Sequence, residues 1–160
     1  MAHRCVSNGG EVSVVRRFAI VLLTCTLSCA LLYAVLVARA PSAPAGPSDA
    51  VGQAAVGEAR AWIGTPYGAY GMDCSGFTSR VFQQLGVYLP DDPAAQYYYG
   101  VPSYGKAGDL VFFNEHGYGI SHVGIATGYG TVIHSSTYYG AVVETPIAYI
   151  PGYVGARDVL

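Results

Sequence analysis

The chain has 160 residues, of which 52% are hydrophobic and 11% are charged, and its formal net charge is −2. From residue 41 onward, nine acidic and four basic side chains leave a net charge of −5 (4 − 9). Such a surface repels a phosphate backbone, so we expect no nucleic-acid partner.

The amino-terminal region predicts export. Residues 1–17 form a basic segment with Arg4, Arg16 and Arg17, and an uncharged apolar run follows over residues 18–38. These 21 residues exceed a typical signal-peptide core and approach the length of a membrane-spanning helix. A cleaved signal peptide and a retained membrane anchor therefore both stay open. In either case the basic segment stays in the cytoplasm and the rest is extracytoplasmic, either secreted or anchored.

A spacer rich in Pro, Ala, Ser and Gly, residues 39–50, separates this region from a predicted domain over residues 51–160. About 110 residues suffice for one domain with a hydrophobic core. Cys74 is the single cysteine of that domain. Without a disulfide partner there, it is either a buried structural thiol or a reactive one.

Helical periodicity comes first along the domain. Apolar positions predict one helix over residues 50–63 and a second over residues 73–86. In the second, Phe77 and Val81 lie on one face, and Asp73 is a good N-cap. A polar loop with prolines and three consecutive tyrosines follows.

The pattern then becomes extended, with strands predicted over residues 109–113, 121–126, 131–135 and 141–144, and a last one near 153–154. Helices followed by antiparallel strands predict an α+β domain, with the N-terminal helices packed on the sheet. The domain also has thirteen tyrosines. We interpret them as strand and half-buried surface residues rather than as sugar-stacking groups.

The predicted start of the second helix favours a reactive Cys74. A helix N-terminus and a nearby imidazole both lower the pKa of a thiol, and the thiolate is the nucleophile. The backbone N–H of Cys74, unpaired in the first helical turn, could also stabilise an oxyanion.

Three histidines could supply the imidazole. His122 and His134 lie on adjacent predicted strands, so one could act as base and the other could orient it. His116 lies in a glycine-bearing loop and is predicted to be solvated. These histidines lack the further ligands of a metal site, and thiol catalysis needs neither metal nor cofactor.

Four motifs together carry a family resemblance: Asp73-Cys74-Ser75-Gly76-Phe77, Gly108-Asp109-Leu110-Val111-Phe112-Phe113, Ser121-His122-Val123-Gly124-Ile125 and Val132-Ile133-His134. In this order and spacing the domain resembles the NlpC-type peptidoglycan endopeptidases. The resemblance implies a minimal papain-like fold. It also implies that the protein is a cysteine peptidase hydrolysing the bond between D-glutamate and diaminopimelate in cell-wall stem peptides.

The resemblance also implies roles for individual residues. The catalytic nucleophile, base and third polar residue fall on Cys74, His122 and His134, and the side chains that hold the substrate fall on the three residues Tyr67, Asp73 and Ser75.

The chain departs from the family pattern in two places. A shorter segment, residues 67–72, replaces the usual Tyr-x-Trp-Gly-Gly region, and Asp91 and Asp92 follow Leu-Pro where an arginine is usual. An acidic pair repels a substrate carboxylate that an arginine would attract. Other functions therefore stay open: a thiol amidase or transferase acting on another wall amide, an exported antibacterial toxin, or an inactive peptidoglycan-binding module.

Overall fold

A computed structural model describes residues 47–160, so the predicted basic segment, apolar run and most of the spacer lie outside the described residues. Within residues 47–160 no helix is long and apolar enough to cross a bilayer. The helices are α1 (Pro47–Ala61), α2 (Cys74–Gln84) and α3 (Pro93–Gln96), and short 3₁₀ turns lie at Ala69–Gly71 and Ile147–Tyr149. The strands are β1 (Val101–Ser103), β2 (Leu110–Phe113), β3 (His122–Ala126), β4 (Thr131–Ser136), β5 (Ala141–Pro146) and β6 (Tyr153–Asp158).

Helix α2 forms as its sequence predicts. The Asp73 carboxylate accepts a hydrogen bond from the Gly76 N–H at 2.8 Å and so caps the first turn. Phe77 and Val81, one turn apart, are fully buried. The helix therefore starts at Cys74, and its apolar face turns that residue toward the interior.

The six strands form one antiparallel sheet in the order β1-β6-β2-β3-β4-β5. Helices α1 and α2 both pack on β3 and β4. The predicted α+β class, with helices on an antiparallel sheet, is confirmed.

Buried side chains cover both faces of the sheet. The larger cluster joins the two helices to one face and includes Val56, Phe77, Phe112 and Ile125. A smaller cluster around Val111, Phe113 and Ala126 covers the other face. Because both faces are covered, the central strands are fully buried and hold their side chains in fixed positions.

Two elements were not predicted. Helix α3 lies in the segment interpreted as a loop, where Asp92 caps it by accepting from the Ala95 N–H at 2.6 Å and Pro93 occupies its first turn. Strand β1 contains Pro102, which disfavours a strand, but at the sheet edge it needs only one neighbour, β6.

The interpretation of the tyrosines is wrong for most of them. Twelve of the thirteen in the described region are exposed, with Tyr97 the exception. Only Tyr153 lies in a strand. The others lie mostly in loops and turns, where their rings face solvent or line surface cavities.

Candidate active site

Cys74 is the first residue of α2 and is only 8% exposed. The backbone N–H groups of Cys74, Ser75 and Val123 lie close to the thiol and favour its ionised form. The thiol itself lies 4.0 Å from the Ser121 carbonyl oxygen, on the residue just before His122. The start of α2 therefore brings the sulfur to the beginning of strand β3.

The pKa of Cys74 nevertheless rises to about 11, first because the thiol is buried and second because the Asp73 carboxylate lies nearby. The three N–H groups only partly offset these effects. The expectation of a lowered thiol pKa is therefore not met in the free protein, because burial opposes ionisation of the thiol and Asp73, which also caps the helix, adds to this effect.

The two strand histidines meet as predicted. His122 Nε2 and His134 Nδ1 are 2.7 Å apart, and both side chains are buried. Ile125 pairs with Ile133 across β3 and β4, so the next position along the strands sets Gly124 beside His134. A β-carbon at Gly124 would lie 2.9 Å from the His134 β-carbon. The missing side chain therefore lets the imidazole of His134 lean toward His122.

Thr145 extends this pair into a chain of three, because its hydroxyl lies 3.1 Å from His134 Nε2.

Burial lowers the pKa of His122 to about 3, with His134 contributing, and lowers the pKa of His134 to about 4. Both rings are therefore neutral at pH 7. Thr145 lies on β5, eleven residues after His134, and no sequence signal singles it out.

No hydrogen bond joins Cys74 to His122 among the described residues. With Nε2 occupied by His134, the other ring nitrogen of His122, Nδ1, remains for the thiol. The carboxylate oxygen Oε2 of Glu115 lies 3.9 Å from that nitrogen. Glu115 belongs to the loop between β2 and β3 and was not predicted as a site residue.

The residues expected to hold substrate lie close to the thiol. The Ser75 hydroxyl lies 3.1 Å from an Asp73 carboxylate oxygen and 2.9 Å from an Asp91 carboxylate oxygen. The pKa of Tyr67 is raised first by burial and then by Cys74 and Asp73, so its hydroxyl lies in the electrostatic field of this site. Asp91, noted in the sequence as a departure from the family pattern, is thus a direct neighbour of Ser75.

Two cavities lie near these residues. One, of about 600 Å³, borders the histidine chain and includes His134, Thr145 and Glu115 in its wall. His116, exposed as predicted, also lines it. The other, of about 350 Å³, lies beside Asp91 and includes neither Cys74 nor a histidine in its lining. Within residues 47–160 no group of three or more His, Cys, Asp or Glu side chains could hold a metal ion.

Residues 57–150 match the model of the NlpC/P60 family. The chain belongs to the NlpC/P60 family. A probable endopeptidase from Corynebacterium glutamicum is 41% identical over 133 residues, which cover 78% of this chain and 62% of that protein. A gamma-DL-glutamyl hydrolase from Bacillus subtilis is 44% identical over 92 residues, covering 51% of this chain and 22% of that protein. The chain thus spans about three-fifths of the first relative.

Solved structures agree with this assignment. The NlpC/P60 domain of the peptidoglycan hydrolase SagA superposes with a TM-score of 0.60 at 34% identity, and the match covers 67% of this chain and 97% of that domain. The resemblance stated from the four motifs is therefore confirmed at the level of family and fold.

Gln96 is a further residue of this NlpC/P60 domain that the sequence did not reveal. It is fully buried, and its Nε2 lies 3.1 Å from the Ser75 carbonyl and 2.7 Å from the Pro90 carbonyl, while its Oε1 accepts from the Thr78 hydroxyl at 2.8 Å. Gln96 thereby ties the first turn of α2 to the loop that carries Asp91.

Proposed function

We propose that this NlpC/P60 domain is a cysteine peptidase that hydrolyses stem peptides of peptidoglycan through Cys74, His122 and His134. The observation that carries the proposal is the placement of a lone thiol at a helix N-terminus beside the start of the strand that bears His122. His122 in turn lies 2.7 Å from His134. A nucleophile, a base and an orienting group in this arrangement are the elements of thiol-dependent acyl transfer.

The neutral histidines fix the direction of the proton chain. For His122 Nδ1 to accept the thiol proton, Nε2 must carry the hydrogen and donate it to His134 Nδ1. His134 then carries its hydrogen on Nε2 and donates to the Thr145 hydroxyl. Thr145 accepts this hydrogen and holds the ring of His134 in the orientation that leaves His122 Nδ1 free to act.

The reaction follows from this tautomer. As the thiol proton moves to His122 Nδ1, the Cys74 sulfur attacks the carbonyl carbon, and the N–H groups of Cys74 and Ser75 stabilise the oxyanion. The C–N bond then breaks, and His122 gives the proton to the leaving amine. Water, deprotonated by His122, attacks the resulting thioester, which releases a carboxylate and restores the thiol.

The bond between D-glutamate and diaminopimelate is the proposed target. The B. subtilis relative is named for hydrolysis of glutamyl bonds, and the SagA domain comes from a peptidoglycan hydrolase. On the acyl side we assign substrate contacts to Tyr67, Asp73 and Ser75. Asp91 adds a second carboxylate beside Ser75, so the carboxylate of the glutamyl acyl group should lie away from these two side chains.

Digestion of defined muropeptides tests the proposal. Wild-type protein should release fragments that end in D-glutamate, identified by mass spectrometry. Cys74→Ala and His122→Ala should release none while keeping the wild-type circular dichroism spectrum. Release of the same fragments by folded Cys74→Ala protein would contradict the assignment of the nucleophile.

The same digestion separates the other functions. Fragments cut at another amide would indicate a different wall amidase, and products extended by an added amine would indicate a transferase. A folded protein that pulls down peptidoglycan without cutting it would indicate a binding module. A toxin role concerns the target cell, so it requires a growth assay on neighbouring bacteria.

An extracytoplasmic location, secreted or anchored through residues 18–38, is part of the proposal. The basic residues before that apolar run support it. Fractionation tests it: the protein should appear in the membrane pellet if the segment is retained and in the medium if it is cleaved. Recovery in the cytoplasmic fraction alone would contradict export.

A further inference from the structure

The cavity of about 600 Å³ beside the histidine chain has a composition suited to an organic cation. We call it the tyrosine cavity, because its wall includes Tyr138, Tyr139 and Tyr149 together with His134, Thr145 and Glu115. The three tyrosines are 88%, 53% and 75% exposed, so their rings are open to a ligand. Their apolar faces suit an aliphatic chain.

The chemistry of peptide cleavage sets which half of the substrate enters this cavity. Since His122 Nδ1 returns its proton to the leaving amine, that amine must lie next to Nδ1. Glu115 Oε2 is 3.9 Å from Nδ1 and also lines the tyrosine cavity. Glu115 therefore links the place where the leaving amine emerges to the tyrosine cavity, whose wall also includes His134.

Glu115 is held in place but its carboxylate is free to bind. Its backbone N–H donates to the Ser121 hydroxyl at 3.1 Å, while the adjacent Asn114 N–H donates to the Gly152 carbonyl at 2.7 Å. Among the described residues no hydrogen bond reaches its carboxylate oxygens, and no lysine or arginine forms an ion pair with it. Burial raises the pKa of Glu115, which an arriving cation would reverse.

We propose that the tyrosine cavity is the leaving-group subsite and that Glu115 there binds a free side-chain ammonium on the residue after the scissile bond. The ligand class is a diamino acid, such as lysine or diaminopimelate, whose aliphatic chain lies against the tyrosines. The inference rests on the proposed peptidase function. It predicts that stem peptides whose side-chain amine is acylated, as in a cross-link, are poor substrates.

A matched peptide pair tests the proposal with the full-length protein. Two tetrapeptides, L-Ala-γ-D-Glu-X-D-Ala, carry either lysine or Nε-acetyllysine at position X. They differ mainly in the positive charge of the side-chain amine at X. Wild-type protein should cleave the lysine peptide with a kcat/KM about tenfold higher, the order expected for one hydrogen bond to a charged group. Glu115→Gln should lower kcat/KM for the lysine peptide alone, so that the kcat/KM values of the two peptides come within about twofold of each other.

Glu58→Gln is the matched control. Glu58 accepts from the Trp62 indole at 3.2 Å and lies outside both cavities, so the ratio should stay at the wild-type value. An equal loss on both peptides in Glu115→Gln would overturn the subsite, since Glu115 would then act on His122 rather than on the substrate. An unchanged ratio would overturn it as well.

Binding to Cys74→Ala protein separates failure of the subsite from failure of the proposed function. Calorimetry should give a Kd about tenfold lower for the lysine peptide than for the acetylated one, and Glu115→Gln in the same background should remove the difference. If wild-type protein cleaves neither peptide, the peptidase proposal fails, and this binding ratio still decides the subsite. Equal binding of the two peptides, or binding of neither, would overturn it.

Discussion

Acid should destabilise this domain through its two buried histidines. Burial holds the pKa of His122 at about 3 and of His134 at about 4, against 6.5 for an exposed imidazole. Between about pH 4 and 6.5 the unfolded chain therefore binds two protons that the folded chain does not. The free energy of unfolding must fall as the pH falls through this window.

The size of the effect follows from the unfolded state. A solution at pH 5 is 1.5 pH units below the pKa of 6.5 of an imidazole in the unfolded chain. Protonation of each histidine in the unfolded chain therefore lowers the free energy of unfolding by roughly 2 kcal/mol. We expect the free energy of unfolding to drop by about 4 kcal/mol between pH 7 and pH 5, a large part of the ~5–15 kcal/mol typical of a domain. Asp109 and Glu115, whose pKa values burial raises, act in the opposite direction.

Urea unfolding at the two pH values measures this drop, and the fluorescence of Trp62, the single tryptophan, reports it. The asparagine in His134→Asn is a polar partner for His122 that cannot titrate. The free energy of unfolding of this variant should therefore drop by only about 2 kcal/mol between the two pH values. The contributions of Asp109 and Glu115 cancel in the comparison. Equal drops in the free energy of unfolding of wild-type protein and His134→Asn would refute the conclusion that His134 is buried and neutral.

Four further outcomes are expected. Alkylation of Cys74 by iodoacetamide should accelerate about tenfold per pH unit from pH 7 to 9, because a pKa of about 11 leaves little thiolate there; a plateau below pH 8 would contradict this. Thr145→Val should lower kcat/KM roughly tenfold while Thr145→Ser retains it, since only the hydroxyl orients His134. Gly124→Ala should destabilise the fold by about 1–3 kcal/mol in thermal unfolding, because the added carbon would meet a Val132 methyl group at 2.5 Å. Gln96→Leu should destabilise it by about 2 kcal/mol or more, since it removes the buried hydrogen bonds of the side chain to the Ser75 and Pro90 carbonyls and to the Thr78 hydroxyl; wild-type melting temperatures in either variant would show that the packing adapts.

Features set by local periodicity were predictable from the sequence. The start of α2 at Cys74 follows from the Asp73 cap and the four-residue spacing of apolar side chains. The approach of His122 and His134 follows from two short strands joined by a tight turn. In both cases the interacting residues are close in sequence, so the pattern alone constrains them.

Features set by contacts between residues far apart in the sequence were not predictable. Gln96 bonds to Ser75 across 21 positions, and Thr145 reaches His134 only because β5 pairs with β4. Glu115 reaches His122 Nδ1 only through the fold of the loop between β2 and β3. No periodicity marks such residues, since their roles depend on how separate elements pack.

The two pKa values of the proposed catalytic pair favour a neutral resting state. Burial and the Asp73 carboxylate raise the pKa of Cys74 to about 11, and burial lowers the pKa of His122 to about 3. Both shifts disfavour the charged forms, so we expect Cys74 to rest as a thiol beside a neutral imidazole.

We infer that proton transfer and attack on the carbonyl occur together, with the negative charge passing to the oxyanion rather than resting on the sulfur. The N–H groups at the start of α2 then act where the charge develops. On this mechanism the helix N-terminus contributes mainly to the transition state, and Asp73 can remain beside the nucleophile as its helix cap, because the negative charge passes to the oxyanion.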